Sequence, residues 1–266
     1  MVERWARRLA PRGLRNLLRD PAATGRWLLD SARGHLGGSA VVRAGGLSIR
    51  LHPASARAVR RALRDPAQAA ELAAFLAHIG PGARLLDVGA SHGLFTLAAL
   101  LAGGPAARAL AVDPSAASNR LLRANLRLNG LAGRVVVVEA AAGAAEGTTR
   151  MLTTGPAGDH YLLPSDPRRP DAAEVPMRTL DAIAHEHGFT PTHLKIDIES
   201  HEADALRGAA RLVAEARPRL SLEWHRAMIA ARGGDPAEVA GVLAALGYAP
   251  PSSAADLVRL DLDPPG

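Results

Sequence analysis

The sequence predicts an α/β protein built on a doubly wound, mostly parallel sheet. Three observations carry this. From Arg84 onward short apolar runs alternate with helical segments, as in a parallel sheet covered on both faces. The first of these runs ends in a small-residue glycine turn, Leu85 to Thr96, that reads as strand, tight loop and helix start. And 266 residues with a 48% hydrophobic share can bury one sizeable core with an N-terminal extension. The boundary is placed between residues 79 and 80.

Taken in order, Val2 to Asp20 sets Trp5, Leu9, Leu14, Leu17 and Leu18 among six arginines, a pattern for short amphipathic helices broken at Pro11 and Gly13. Val41 to Ala44 and Leu47 to Leu51 flank Gly45-Gly46 and read as a small hairpin. Ala56 to Ile79 is helical, restarting at Asp65-Pro66 and ending at Gly80-Pro81-Gly82. Strands follow at Arg84 to Val88, Ala109 to Val112, Val135 to Val138, His193 to Ile198 and Leu220 to Trp224. Helices fill the gaps at Leu94 to Ala102, Ala116 to Asn129 and Glu202 to Ala216. Gly155 to Pro170 is too rich in Gly, Pro and Asp for a regular element, and its Tyr161, Leu162 and Leu163 suit either a substrate-covering lid or a surface excursion. Ala237 to Leu246 is a helix stopped by Gly247, and Leu257 to Leu262 supplies a last strand.

Composition narrows the function. The net charge is +6, but the basic residues are spread along the chain and all but Lys195 are arginine. Aromatics make up only 3%, so base-stacking platforms are scarce and no nucleic-acid partner is expected. The absence of cysteine removes disulfides, thiolate metal sites and cysteine nucleophiles. No apolar run approaches the ~20 residues of a membrane span, and the expected location is the cytoplasm.

Gly89-Ala90-Ser91-His92-Gly93 lets a ligand lie against bare backbone at the mouth of a helix. It is not a full G-x-G-x-x-G and lacks the G-K-[ST] of a phosphate loop, which weakens a pyrophosphate or triphosphate reading. What remains is a nucleoside-like cofactor with little phosphate, a description that S-adenosylmethionine fits. Asp113 ends the next strand, where an acidic side chain accepts hydrogen bonds from ribose hydroxyls or else stabilises a helix start. Asp87 ends the first strand and is expected either to act similarly or to hold the glycine loop through its amides. The turn Glu139 to Gly143, with Ala141 at its centre, suits the edge of an adenine ring.

The densest chemistry is in LKIDIESHEADALRG, Leu194 to Gly208. Strand alternation puts Lys195, Asp197 and Glu199 on one face, and Glu223 and His225 repeat the arrangement on the next strand. Asp197, Glu199, Glu223 and His225 thus converge at the carboxyl edge, where doubly wound sheets bind ligands. Three uses compete: a general base for a substrate hydroxyl, with Asp197 or His225 of suitable type; a divalent-metal site; or a structural network including Glu202 and Arg207. His185 and His187 around Glu186 read as a solvated helix end, and no metal site is assigned.

Taken together and in order, DVGASHGLFT, AVDPSAASNRLLRANLRLNG, MRTLDAI, LKIDIESHEADALRG and RPRLSLEWH resemble the FkbM-like family of S-adenosylmethionine-dependent methyltransferases, over about Gly80 to His225. The resemblance implies the class I methyltransferase (Rossmann-like) fold with a seven-stranded sheet. It also implies methyl transfer, usually to a hydroxyl of a sugar or natural-product small molecule. Cofactor contacts carry over to Asp87, Gly89, Ala90, Ser91, Gly93 and Asp113, and the family's K-I-D-x-E to Lys195, Asp197 and Glu199, with Glu202 following. Ser91 stands for the family's usual Asn, Asp113-Pro114 for E-P, and Ser200 for Gly. The resulting expectation is an O-methyltransferase, with Asp197 and His225 catalytic and Glu199 or Glu223 orienting. Its partner would be a small molecule, with a homo-oligomer left open. The rivals are an NAD-dependent oxidoreductase and a non-catalytic cofactor-binding module.

Overall fold

A computed structural model describes residues 38–152, 172–249 and 258–265. The arginine-rich N-terminal segment and the loop around Tyr161 lie outside the described residues. The hairpin forms as expected from β1 (Ala40–Ala44) and β2 (Leu47–Leu51). Gly45 and Gly46 both take positive φ, 53° and 78°, as a two-residue turn matched to strand twist requires. Helices α1 (Pro53–Ala62) and α2 (Pro66–Ala77) each begin with proline, and Asp65 caps α2 by accepting the Ala67 amide at 2.9 Å.

The α/β part runs β3 (Arg84–Val88), α3 (Leu94–Ala102), β4 (Arg108–Val112), α4 (Ala116–Leu128), β5 (Val135–Val138), β6 (Ala141–Ala142), β7 (Gly147–Leu152), β8 (Ala172–Arg178) and α5 (Leu180–Glu186). It continues with β9 (His193–Ile196), α6 (Glu202–Arg207), α7 (Ala210–Ala216), β10 (Arg219–Trp224), α8 (Arg226–Ala231), α9 (Ala237–Ala245) and β11 (Val258–Leu262). The main sheet has the order β11-β10-β9-β3-β4-β5, parallel throughout except for β11. Among the described residues it holds six strands, not seven; β6, β8 and β7 form a separate three-stranded sheet. Sequence periodicity passed over that small sheet because β6 is two residues long and β8 contains Pro176.

Strand parity builds two cores. Leu86, Val88, Leu194, Ile196, Leu220 and Leu222 face α5, α6, α7 and α9. Leu85, Ala109 and Ala111 face the other way, onto α3, α4, the hairpin and the first two helices, with Ile49, Leu51, Leu72 and Phe75 in the same cluster. Each fully buried Leu or Ile contributes roughly 1.5–3 kcal/mol.

Two elements depart from expectation. Strand β9 stops at Ile196, not Ile198, because Glu199 and Ser200 adopt φ of 57° and 88° and turn the chain out of the sheet. The expected helix Glu202 to Ala216 is broken into α6 and α7. A Cβ on Gly208 would lie 2.1 Å from the Gly143 carbonyl oxygen, so the junction docks on the end of β6 and cannot continue the helix. Asp181 caps the restart, accepting the Arg211 and Leu212 amides at 3.1 and 2.7 Å.

Candidate functional site

The glycine loop is fastened to β4. The amides of Gly89 and Ala90 donate to the Val112 carbonyl at 2.9 and 3.2 Å, and Gly93 donates to Ala90 at 2.8 Å. Ser91, at φ 49°, donates its amide to Asp113 Oδ2 at 2.8 Å. Four of the loop's amides therefore have acceptors within the protein, which agrees with the missing phosphate signature. Gly89 (φ 80°) is forced by packing as well as conformation, since an added Cβ would sit 1.9 Å from the Asp197 carbonyl oxygen. Gly93 (φ 86°) lies against Leu122 and starts α3.

The two strand-end aspartates divide the work differently from the sequence expectation. Asp113 ties down the loop, and its other oxygen accepts the Ser115 amide at 2.8 Å. Asp87 is fully buried on the β3 face it shares with Leu85, where it accepts from the Thr96 hydroxyl of α3. Burial pushes its pKa up against the influence of Lys195 and Thr96. The side chain of Asp87 thus braces the loop from behind, because β3 alternation points it into the sheet–helix interface.

At the carboxyl edge a cleft is lined by Gly89, Ser91, Asp113, Ala141, Asp197 and Glu199, with Pro114, Ser118, Ala142 and Ile198 completing it. Of the expected cofactor residues, Gly89, Ser91, Asp113 and Ala141 reach this cleft. Asp87, Ala90 and Gly93 stand behind it. A larger cavity of about 570 Å³ lies at the amino edge between α5 and α7, lined by His185, Phe189, Arg211 and Glu215 among others, and contains none of the expected site residues.

The turn after β9 brings both Asp197 and Glu199 to the cleft. Asp197 keeps its place in the ladder, its amide donating to Val88 at 3.0 Å, while Glu199 swings into the cleft beside Ser91 and Asp113. Ser200 holds a backbone angle that favours glycine. It does so with help: Arg232 donates to its carbonyl at 2.9 Å and its hydroxyl at 2.7 Å, and its own amide donates to Glu202 at 2.9 Å. The carbonyl and amide contacts do not depend on the side chain.

Asp197, Glu223 and His225 converge as the sequence suggested. His225 Nε2 stands 3.8 Å from Asp197 Oδ1 and 3.6 Å from Glu223 Oε2. Its Nδ1 is 2.7 Å from Oε1 of Glu202, which is fully buried. Desolvation alone would lower the imidazole pKa, but the Glu202 hydrogen bond and the charges of Glu202, Asp197 and Glu199 raise it to about 9. Lys195, the sole lysine, is buried with its ammonium 3.3 Å from Asp197 Oδ2, 3.9 Å from Glu71 and 4.2 Å from the Phe95 ring centre. Burial opposes its charge, yet Asp197, Glu71, Asp87 and Glu223 together push its pKa to about 12, so it serves as a fixed cation.

Several contributors escaped the sequence reading. Burial and a hydrogen bond with Glu223 raise Glu71 to about 8. Glu223 is held down by that bond, Lys195 and Arg259 in spite of its own burial. Arg259 donates to Glu71 at 3.0 Å and to Glu223 at 3.3 Å, and Gln68 donates to Glu223 at 3.3 Å. The signal was present in α2, where Gln68 and Glu71 are the only polar side chains of PAQAAELAAFLA and share one face. Asn125 was missed too. Fully buried in α4, it donates to the His92 carbonyl at 2.8 Å and Ser55 at 3.0 Å, and accepts the His52 amide at 2.7 Å. An asparagine within the Leu122–Leu126 buried stripe was its mark.

A parallel sheet of this order, with a glycine turn after its central strand and acidic residues at the next strand ends, defines the class I methyltransferase fold. The chain matches the family model of the methyltransferase FkbM domain over residues 87–250, more than half its length. It belongs to the FkbM methyltransferase family. No curated protein matches it significantly. Among solved structures it is similar to a methyltransferase FkbM from Methylobacillus flagellatus KT, at 22% identity and TM-score 0.43, covering 62% of this chain and 38% of that one. It is similar to TrmN from Thermus thermophilus at 18% identity and TM-score 0.42, covering 73% and 48%. A precorrin-6y C5,15-methyltransferase from Geobacter metallireducens GS-15 follows at 15% identity and TM-score 0.40, covering 67% and 70%. The chain thus spans less than half of the first two, and likeness at this level says nothing about substrate. No helix among the described residues is long and apolar enough to cross a membrane.

Proposed function

We propose that the protein is an O-methyltransferase acting on a hydroxyl of a sugar or natural-product small molecule. The observation that carries this is the position of Asp197, which lines the cofactor cleft with one neighbourhood and faces Glu223 and His225 with the other. An acceptor over the ends of β9 and β10 would therefore lie beside the cofactor and within reach of a carboxylate.

The cleft fits S-adenosylmethionine in kind: its walls are small where Gly89, Ser91 and Ala141 stand, and acidic where Asp113, Asp197 and Glu199 stand, as suits a cationic nucleoside. When bound, the cofactor supplies an activated methyl group. Gly89, Ser91 and Ala141 would give it backbone to lie against, and Asp113, which accepts the Ser91 and Ser115 amides, stands on the cleft wall where ribose hydroxyls would bind. Asp87, Ala90 and Gly93 keep the loop in shape. Asp197, oriented by Lys195, would accept the proton of the acceptor hydroxyl, and the methyl that replaces that proton would come from the cofactor's sulfonium, which departs as the neutral thioether. His225, fixed by Glu202, and Glu223 orient the acceptor, and Glu199 faces the cofactor's charge. Most of the rate enhancement then comes from alignment.

Calorimetry with S-adenosylmethionine tests the cofactor reading, which millimolar cofactor without binding would overturn. A mass-spectrometric screen of glycosides and hydroxylated metabolites for the gain of one methyl identifies the acceptor. Asp197→Asn should lower turnover about 10²–10⁴-fold. Unchanged turnover would remove Asp197 as the base, and cofactor binding without turnover of any acceptor would make the chain a cofactor-binding module in place of an enzyme.

A further inference from the structure

At the meeting point of cleft and strand ends, one carboxylate oxygen each of Asp197 and Glu223 faces one ring nitrogen of His225 from beyond hydrogen-bond distance. Lys195 engages Asp197 through Oδ2, and Arg259 and Gln68 engage Glu223 through Oε1. The opposite oxygens, Asp197 Oδ1 and Glu223 Oε2, both turn toward His225 Nε2, at 3.8 and 3.6 Å. Those separations are too long for hydrogen bonds, which fall near 2.7–3.2 Å. They fit ligands of a shared divalent ion, since atoms each about 2.1 Å from one centre stand roughly 3–4 Å apart. All three ligand atoms lie within 4.8 Å of one another, and Glu223 and His225 are buried.

A second observation points the same way. Glu202 is 0% exposed, lies against His225 Nδ1 at 2.7 Å, and leaves its Oε2 buried without a hydrogen-bond partner. The imidazole, held protonated by this carboxylate, is the cation that balances it, and an ion bound at Nε2 would take the place of the proton there and supply the same balance. A carboxylate behind one ring nitrogen, with the other nitrogen turned to open acceptors, is also how metal-binding imidazoles are oriented.

We propose that Asp197 Oδ1, Glu223 Oε2 and His225 Nε2 bind one divalent cation of the manganese-to-zinc series, with Glu202 as the positioning residue behind the imidazole. The imidazole ligand favours these ions over magnesium and calcium, which take oxygen shells. The site rests on the methyl-transfer reading in placing the ion beside the acceptor, and it revises one step of it: with the ion bound, Asp197 is a ligand and the ion would acidify the acceptor hydroxyl in place of a free carboxylate base.

The test uses chelator-stripped full-length protein titrated with Mn²⁺ by electron paramagnetic resonance and with Zn²⁺ by calorimetry. One ion per chain is expected, with imidazole nitrogen coupling in the spin-echo spectrum of bound Mn²⁺ in the unsubstituted protein, a readout that needs no variant to fold. Glu223→Gln and His225→Ala should each weaken binding at least tenfold, and Glu202→Gln about 10–100-fold, with circular dichroism confirming that each variant is folded. No binding at millimolar Mn²⁺ or Zn²⁺, bound Mn²⁺ without nitrogen coupling, or affinity indifferent to Glu223→Gln in folded protein would overturn the site. S-adenosylmethionine calorimetry on the same stripped sample separates the two readings. Cofactor binding without metal binding removes only the ion, and metal binding without cofactor binding removes only the methyltransferase assignment.

Discussion

Replacing Gly89 with alanine tests the part of the site on which the rest is built. The new Cβ would lie 1.9 Å from the Asp197 carbonyl oxygen, against 3.4 Å for ordinary contact, a shortfall of about 1.5 Å. The obstacle is backbone, so no side chain can swing away. Moving the Asp197 peptide would break its 3.0 Å hydrogen bond to Val88 and carry off the carboxylate that Lys195 holds. An alanine at φ 80° costs roughly 1–2 kcal/mol in conformation, and overpacking adds roughly 1–3 kcal/mol. A total of about 2–5 kcal/mol should lower the melting temperature by roughly 4–20 °C in a domain of this size. Because the strain falls between β3 and β9 at the cleft, affinity for S-adenosylmethionine should drop at least tenfold by calorimetry. Gly46→Ala is the control: its φ of 78° is nearly the same, but nothing lies within 4 Å of the new Cβ. It should cost only the conformational share and leave affinity unchanged. Equal effects of the two substitutions, or a Gly89→Ala protein with unchanged affinity, would refute the close-approach argument.

Other consequences are as specific. Asn125→Ala removes two donated bonds and strands the buried His52 amide, so chemical denaturation should show a loss of about 2–4 kcal/mol. Cofactor affinity should fall as well, because His92 in the glycine loop loses its support; a loss of stability with full affinity would confine Asn125 to the fold. Ser200→Gly should be more stable than Ser200→Ala by about 1 kcal/mol, since both lose the hydroxyl bonded to Arg232 but only glycine accepts φ 88° freely. Equal melting temperatures would show that the angle carries no strain. Tyr248→Phe, which removes the buried hydroxyl donated to the Pro218 carbonyl at 2.7 Å, should cost about 1–3 kcal/mol by leaving that acceptor unmatched, with no change in cofactor affinity.

The sequence alone determined the parallel sheet, the hairpin, the proline-started helices and the glycine turn, because each rests on short-range patterns: alternation of apolar runs, a two-glycine turn, a cap beside a proline. It also located the strand ends that carry Asp197, Glu223 and His225, since in such a sheet the chain order fixes which ends are neighbours. What it could not decide was direction. Strand parity put Glu199 beside Asp197 by continuing β9 to Ile198; both do line the cleft, but Glu199 reaches it from a turn with two consecutive positive φ angles and not from the strand. The partners of Asp87 and Asp113 likewise show only in the packed structure, Thr96 of α3 for the one and the loop amide of Ser91 for the other. Glu71 and Arg259, 188 residues apart, join Glu223 only because α2 packs across the edge of the sheet where β11 lies antiparallel to β10. Local patterns name the elements. The charges gathered at His225 and Glu223 come from four separate stretches of chain, around Glu71, Lys195 to Glu202, Glu223 and Arg259, and only the packed structure decides which of them meet.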